Sequence, residues 1–163
     1  MRVGIGYDIH QMEKRRKLTL GGVVLPYHSG LVGHSDADVM LHAICDALLG
    51  AAALGDIGQH FPNTDPKYYG ISSLFLLNNV FKMLKEKRYR VVNVDVTIVA
   101  EEPKLAKHIP VMKQNISQVL EISEANINIK ATTNEQLGSL GRKRGIAAHA
   151  VALIDENSTK KSK

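Results

Sequence analysis

The sequence predicts an α/β fold, a sandwich of the α+β kind in which a mixed β-sheet carries helices on one face. Three observations support this. Strand-like and helix-like segments alternate along the whole chain. In V-D-V-T-I-V and A-H-A-V-A-L, the polar residues Asp95, Thr97 and His149 alternate with apolar ones, so one side of each strand is built for burial. The chain has 163 residues, 44% hydrophobic and 23% charged, enough for one domain with a proper core and too short for two.

The elements follow in order. A strand is expected near 2 to 8, then a hairpin turned at Gly21-Gly22 between K-L-T-L and V-V-L-P. A helix is expected from about 36 to 53. Ser35 and Asp38 resemble a capping box at its start, and Gly55 and Gly58 close its far end. The run D-I-G-Q-H-F-P-N-T-D-P, Asp56 to Pro66, is rich in Gly, Pro, Asn and Asp and reads as a loop. A helix from about 72 to 87 follows. The second half reads as the strand V-V-N-V-D-V-T-I-V-A, a helix started near Pro110, the strand I-N-I-K-A-T-T, a short helix from about 134, and the strand I-A-A-H-A-V-A-L-I. Residues 1–157 make a single domain, and 158–163 form a basic tail expected to be disordered. Helices cover one sheet face, and the other has no evident cover, which points to subunit association.

Composition excludes several classes. No apolar run approaches the roughly 20 residues of a membrane span, and Met1 leads directly into the strand-like R-V-G-I-G-Y rather than a cleavable signal. A cytoplasmic location is expected. The single cysteine, Cys45, rules out a disulfide framework and reads as a small core residue. The net charge of +5 comes partly from the tail, and no basic stripe interleaved with aromatics suggests nucleic acid. No G-x-x-x-x-G-K-[ST] occurs, so a P-loop mechanism is not in contention.

The candidate chemistry starts with G-Y-D-I-H. Residues two apart on a strand share a side, so Asp8 and His10 can grip one cation, with His42 supplying a third ligand from the helix H-S-D-A-D-V-M-L-H. One carboxylate and two imidazoles leave a fourth position open, the pattern of a zinc ion that acts on a substrate. The plainer alternative is a hydrogen-bonded core histidine. Against it stands the stripe Asp38, His42 and Asp46 at i, i+4 and i+8 in an otherwise apolar helix, since burying such groups without partners costs several kcal/mol.

These blocks, together with H-S-D-A-D-V-M-L-H-A-I-C-D-A-L-L-G-A-A-A-L-G-D-I-G-Q-H-F-P-N-T-D-P and K-A-T-T-N-E-Q-L-G, resemble the 2-C-methyl-D-erythritol 2,4-cyclodiphosphate synthase family over essentially the whole chain. The resemblance implies a homotrimer with sheets packed around a threefold axis and active sites between subunits. It implies that the 2-phosphate of a CDP-methylerythritol phosphate attacks the β-phosphorus and expels CMP, in the non-mevalonate isoprenoid pathway.

The resemblance also implies roles for individual residues. Asp8, His10 and His42 would hold Zn²⁺, and Glu135 would hold a second cation, Mg²⁺ or Mn²⁺, bridging the substrate phosphates. His34 would steady the transition state and Ser35 would contact substrate, although Ser35 also reads as a plain N-cap. Thr132, Thr133 and Asn134 would lie at the phosphates, although T-T-N-E has capping-box spacing in its own right. Asp56, Ile57 and Gly58 would recognise the ribose or nearby polar groups, and Phe61, Pro62, Asn63, Thr64 and Asp65 the methylerythritol portion. Ala100, Pro103, Lys104, Leu105 and Ala106 would form the cytosine pocket, where Lys104 alone would pass for a solvated charge.

Departures from the family pattern are Ser139 in place of an aromatic Phe, Asn63 in place of Asp, and His149 where some relatives carry Glu. Ser139 and Arg142, the latter followed by Lys143 and Arg144, would lie toward the substrate and an axial cavity that can hold an isoprenoid diphosphate. A zinc-dependent nucleotide diphosphate hydrolase is the catalytic alternative, and a trimeric anion-binding scaffold the non-catalytic one.

Overall fold

The computed structural model describes residues 1–156; the basic tail lies outside them. Strand β1 runs Arg2–Lys14, β2 Leu18–Leu20, β3 Val23–Leu25 and β4 Ser29–Leu31, followed by helix α1 Val39–Ala52 and the short helix α2 Ile57–His60. Helix α3 spans Ser73–Glu86, β5 Tyr89–Val99, α4 Ile109–Leu120, β6 Ile127–Thr132, the short α5 Gly138–Gly141, and β7 Gly145–Glu156. Five strands form one mixed sheet in the order β4-β1-β7-β5-β6, and β2-β3 is the separate hairpin expected at Gly21-Gly22. Among the described residues only β5 and β6 pair in parallel; α4 lies between them in the chain.

Helix α1 is the keystone. Its Val39, Met40, Leu41, Ile44, Leu48 and Leu49 are fully buried, and it packs on the face of β1 and β7. The contact with β1 is unusually close. A Cβ on Gly6 would stand 1.9 Å from the Ala43 carbonyl oxygen, and one on Gly4 would stand 2.0 Å from that of Ala47. On β7 the facing residues are Ala148, Ala150 and Ala152, all wholly buried. Small residues on both partners let the helix backbone approach the sheet.

The opposite sheet face is uncovered, apolar along β1 and more polar toward β5 and β6, where Asp95 and Lys130 pair. Val3, Ile5, Tyr7 and Ile9 are 67%, 73%, 50% and 47% exposed, and Val151 on β7 adjoins them at 42%. Strand alternation sends these residues one way and Gly4, Gly6, Asp8 and His10 the other, toward α1.

Several boundaries differ from the sequence expectation. Helix α1 starts at Val39 rather than 36, because Asp38 is its N-cap and accepts the Leu41 N–H at 3.1 Å. Its far end is closed by Ala53 in the left-handed conformation (φ 57°), while Gly58 sits inside α2. The Asp56–Pro66 run is not all loop. Asp56 caps α2 through the Gln59 N–H at 3.0 Å, and a 3₁₀ turn occupies Pro66–Tyr68. No helix begins at 134: Glu135 and Gln136 hold φ of +49° and +62°, which breaks helical geometry before α5. The edge strand β4 went unforeseen, since three residues, Ser-Gly-Leu, offer no alternation to read.

Replacing Gly6 by Ala should cost about 3 kcal/mol or more, because the new methyl meets helix backbone rather than a movable side chain. Thermal denaturation should show a midpoint roughly 6–12 °C lower; an unchanged midpoint would mean the sheet and helix can part without penalty.

Candidate active site

Asp8, His10 and His42 converge as their spacing predicted. His10 Nε2 and His42 Nδ1 each lie 3.0 Å from the same Asp8 carboxylate oxygen and 3.1 Å from one another. The residues are half-buried, and they are the one group of three or more such side chains among the described residues able to converge on an ion. Burial opposes a charge on Asp8, but hydrogen bonds from His10 and His42 outweigh it and hold the carboxyl well below its usual range. Burial likewise opposes a charge on His10, whose pKa is nonetheless raised by Asp8 and the Val32 backbone. An ionised carboxylate and two imidazole nitrogens aimed at one point make a donor set that fits a divalent metal.

Sequence reasoning missed the residues behind His42. Its Nε2 lies 2.9 Å from the Ser73 hydroxyl and 3.1 Å from that of Ser35. Ser73 in turn donates both its hydroxyl and its N–H to the Asp36 carboxylate. Ser73 is wholly buried at the start of α3. This chain holds the ring plane and supports its Nε2 side while Nδ1 faces Asp8, a common arrangement behind metal-binding histidines. Ser35 is therefore not the helix cap; its hydroxyl accepts the Ala37 N–H at 3.1 Å and pairs with His42.

The polar stripe on α1 divides into three tasks. Asp38 accepts from the Gly22 N–H at 2.7 Å as well as from Leu41, pinning the hairpin to the helix start. Asp46 accepts the Ile57 N–H at 2.7 Å, which ties α2 to α1. Only His42 faces the candidate site. No buried side-chain nitrogen or oxygen among the described residues lacks a partner.

Beside the triad lies a cavity of about 240 Å³ lined by His10, His42, His34, Ser35, Gly58 and Phe61, among others including Ile57 and Asn63. Pro62, Thr64 and Asp65 are on the same segment, and Asp65 caps the 3₁₀ turn through Lys67. The His34 ring meets the Tyr69 ring edge-on at 5.4 Å between centroids.

The remaining candidates lie elsewhere. Pro103, Lys104 and Ala106 line a separate hollow with Pro26, and Leu105 is buried beneath. Ala100 donates to the Thr132 carbonyl at 2.9 Å. The expected T-T-N-E cap is not formed; Thr133 Oγ1 instead donates to Glu135 at 2.5 Å. Asn134 bonds the Leu137 carbonyl. Ser139 lines a larger cavity of about 860 Å³ that reaches the outer side of His10, and Arg142 is exposed after α5. The cavity beside the triad contains none of Pro103 to Ala106 or Thr132 to Glu135.

The family model described as the YgbB family matches residues 1–155. The chain belongs to the YgbB family. It is 60% identical over 156 residues to the 2-C-methyl-D-erythritol 2,4-cyclodiphosphate synthase of Syntrophomonas wolfei subsp. wolfei, covering 96% of this chain and 99% of that one. The enzyme of the same name from Alkaliphilus metalliredigens is 59% identical over 157 residues, with 96% and 99% covered. Among solved structures, the bifunctional IspDF of Campylobacter jejuni superposes with a TM-score of 0.92 at 39% identity, covering 95% of this chain and 42% of that longer one. The CDP complex of Plasmodium falciparum IspF gives 0.84 at 35% identity, with 96% and 97% covered. The YgbB fold seen in those structures is the two-layer architecture described here.

Elemental analysis should find one divalent ion per chain in the wild type and none in His42→Ala. Ser73→Ala, which removes only the support behind the ring, should bind the ion roughly 10- to 100-fold more weakly. Wild-type metal content in His42→Ala would remove that residue from the ligand set.

Proposed function

We propose that this YgbB-family chain converts 4-diphosphocytidyl-2-C-methyl-D-erythritol 2-phosphate to 2-C-methyl-D-erythritol 2,4-cyclodiphosphate and CMP, as a metal-dependent lyase of the non-mevalonate isoprenoid pathway. The observation that carries this is the convergence of Asp8, His10 and His42 beside a cavity, in a chain 60% identical to a synthase of that name. The relatives are named for cyclisation, which leaves the hydrolytic alternative without support.

An oxygen of the substrate's 2-phosphate attacks the β-phosphorus, the bond from that phosphorus to the bridging oxygen breaks, and CMP leaves with the electron pair. The difficulty is the approach of two anions, so charge neutralisation and in-line positioning supply the rate. Holding both groups within one substrate contributes on the order of 7–11 kcal/mol in well-oriented cases. When bound, Zn²⁺ at Asp8, His10 and His42 would polarise a β-phosphate oxygen as a Lewis acid, and Mg²⁺ or Mn²⁺ at Glu135 would offset charge between the α- and β-phosphates.

The protein's own groups do the rest. His34 and Ser35 offer N–H and O–H donors at the cavity wall. Asp56, Ile57 and Gly58 recognise the ribose or nearby polar groups, and the Phe61–Asp65 segment the methylerythritol portion. Ala100 and the Pro103–Ala106 segment read cytosine, with Thr132, Thr133, Asn134 and Glu135 at the phosphates.

We assign the assembly as a homotrimer with the uncovered faces of three sheets around the threefold axis and three sites shared between subunits. Support comes from the exposed Val3, Ile5, Tyr7, Ile9 and Val151, and from the absence of the nucleotide-side segments from the triad cavity. On that face the Tyr7 and His149 rings lie 4.7 Å apart between centroids, tilted by 43°; Arg142 would face an isoprenoid diphosphate in a cavity on the axis.

Phosphorus NMR of the metal-loaded enzyme with the CDP-methylerythritol phosphate should show a cyclic diphosphate and CMP; hydrolysis products alone would sink the proposal. Asp8→Asn and Lys104→Ala subunits, each inactive alone, should regain activity when co-assembled, because one site per mixed trimer can escape both changes. No recovery would place the metal and cytosine sites within one chain.

A further inference from the structure

We propose that the adjacent carboxylates Glu101 and Glu102 are positioning residues that lock the nucleotide-reading segment to its two neighbours and thereby set the affinity for the cytidine nucleotide; this rests on the function proposed above. Strands β5 and β6 are parallel with Val99 opposite Thr132, so the loops that follow leave the sheet side by side at the same end. Just beyond that point the Ala100 N–H donates to the Thr132 carbonyl. Past it, Glu101 takes over. One carboxylate oxygen accepts the Asn134 N–H at 2.8 Å and the Gln136 N–H at 3.2 Å.

Those amides belong to a loop in which Glu135 and Gln136 both hold positive φ, a conformation that residues with side chains seldom adopt unless neighbours impose it. Glu101 bonds on either side of Glu135, so it fixes the direction of the Glu135 side chain, which Thr133 also holds. Glu102 turns to the other neighbour. It accepts from Lys143 Nζ at 2.7 Å and from the Tyr27 hydroxyl at 2.9 Å, joining the segment to the loop after α5 and to the connection between β3 and β4. Two consecutive carboxylates at the rim of a site for a triply phosphorylated substrate would repel it if their charge were free. Here each is engaged, one by two backbone amides and the other by an ammonium and a phenol.

The test measures three things on the metal-loaded, full-length protein: CMP binding by calorimetry, steady-state kinetics, and amide hydrogen exchange over residues 133–137. Glu101→Ala should weaken CMP binding and raise KM at least tenfold, with faster exchange at 134 and 136 and with metal content and melting temperature near wild type. Glu101→Gln, whose amide oxygen still accepts, should stay within about threefold, and Lys143→Ala should also raise KM. CMP affinity and exchange in Glu101→Ala equal to wild type would overturn the proposal, as would a loss of kcat and metal with KM preserved. If the wild type itself neither binds CMP nor forms the cyclic product, the function proposed above fails, while unchanged exchange in Glu101→Ala would overturn the clamp separately.

Discussion

The candidate metal centre depends on how closely one helix can lie against one strand. Gly4 and Gly6 leave no side chain between β1 and α1, and the carbonyls of Ala43 and Ala47 fill the space a Cβ would take. The next two residues on that strand face are Asp8 and His10. They project past the start of the helix, where His42 reaches them at about one hydrogen-bond length. Any bulk at Gly6 would push the helix outward and lengthen all these separations together. Packing, more than local electrostatics, thus sets the triad geometry, since interiors at crystal-like density transmit small displacements.

Once the helix is seated, its buried polar residues have to be occupied, and each is occupied differently. Asp38 holds the hairpin and the helix N-terminus, and Asp46 holds α2. His42 reaches Asp8 with one ring nitrogen and the Ser73–Asp36 pair with the other. The stripe read from the sequence correctly marked an exception to an apolar core. The sequence also singled out His42 as the member serving chemistry; the structural tasks of Asp38 and Asp46 are visible only from their distant partners, Gly22 and Ile57.

Much of the fold was legible because its signals are local. Period-2 alternation placed Asp8 and His10 on one side of β1, and turn chemistry placed the Gly21-Gly22 hairpin. What escaped was contingent on distant neighbours. Ser73 contacts His42 across 31 positions of sequence, and nothing near Ser73 announces it. Thr132 and Glu135 carry the spacing of a capping box, yet the backbone amides nearby are taken by Glu101 and the chain turns left-handed instead. Ser35 looked like a cap because Asp38, three residues on, was read as its partner. Asp38 is the cap itself, its carboxylate accepting the Leu41 N–H directly. The uncovered face is legible from alternation; a homotrimer that would cover it is implied by resemblance alone.

The sheet register bears on the proposed assembly. Ile9 pairs with Ala147, which pairs with Val99, which pairs with Thr132, so the triad and both nucleotide-side loops emerge at one level of the same sheet end. They are nevertheless two and three strands apart, roughly 10 and 14 Å at the usual strand spacing. That separation sets Thr133 and Glu135 apart from the triad within one chain. The β7 strand between them is alanine-rich and offers no polar bridge at that height. A second chain packed against the exposed Val3, Ile5 and Tyr7 can bring its own sheet end alongside while burying apolar surface that is otherwise costly to expose. In the proposed trimer, assembly and site completion would draw on the same uncovered face, whose β1 side is apolar.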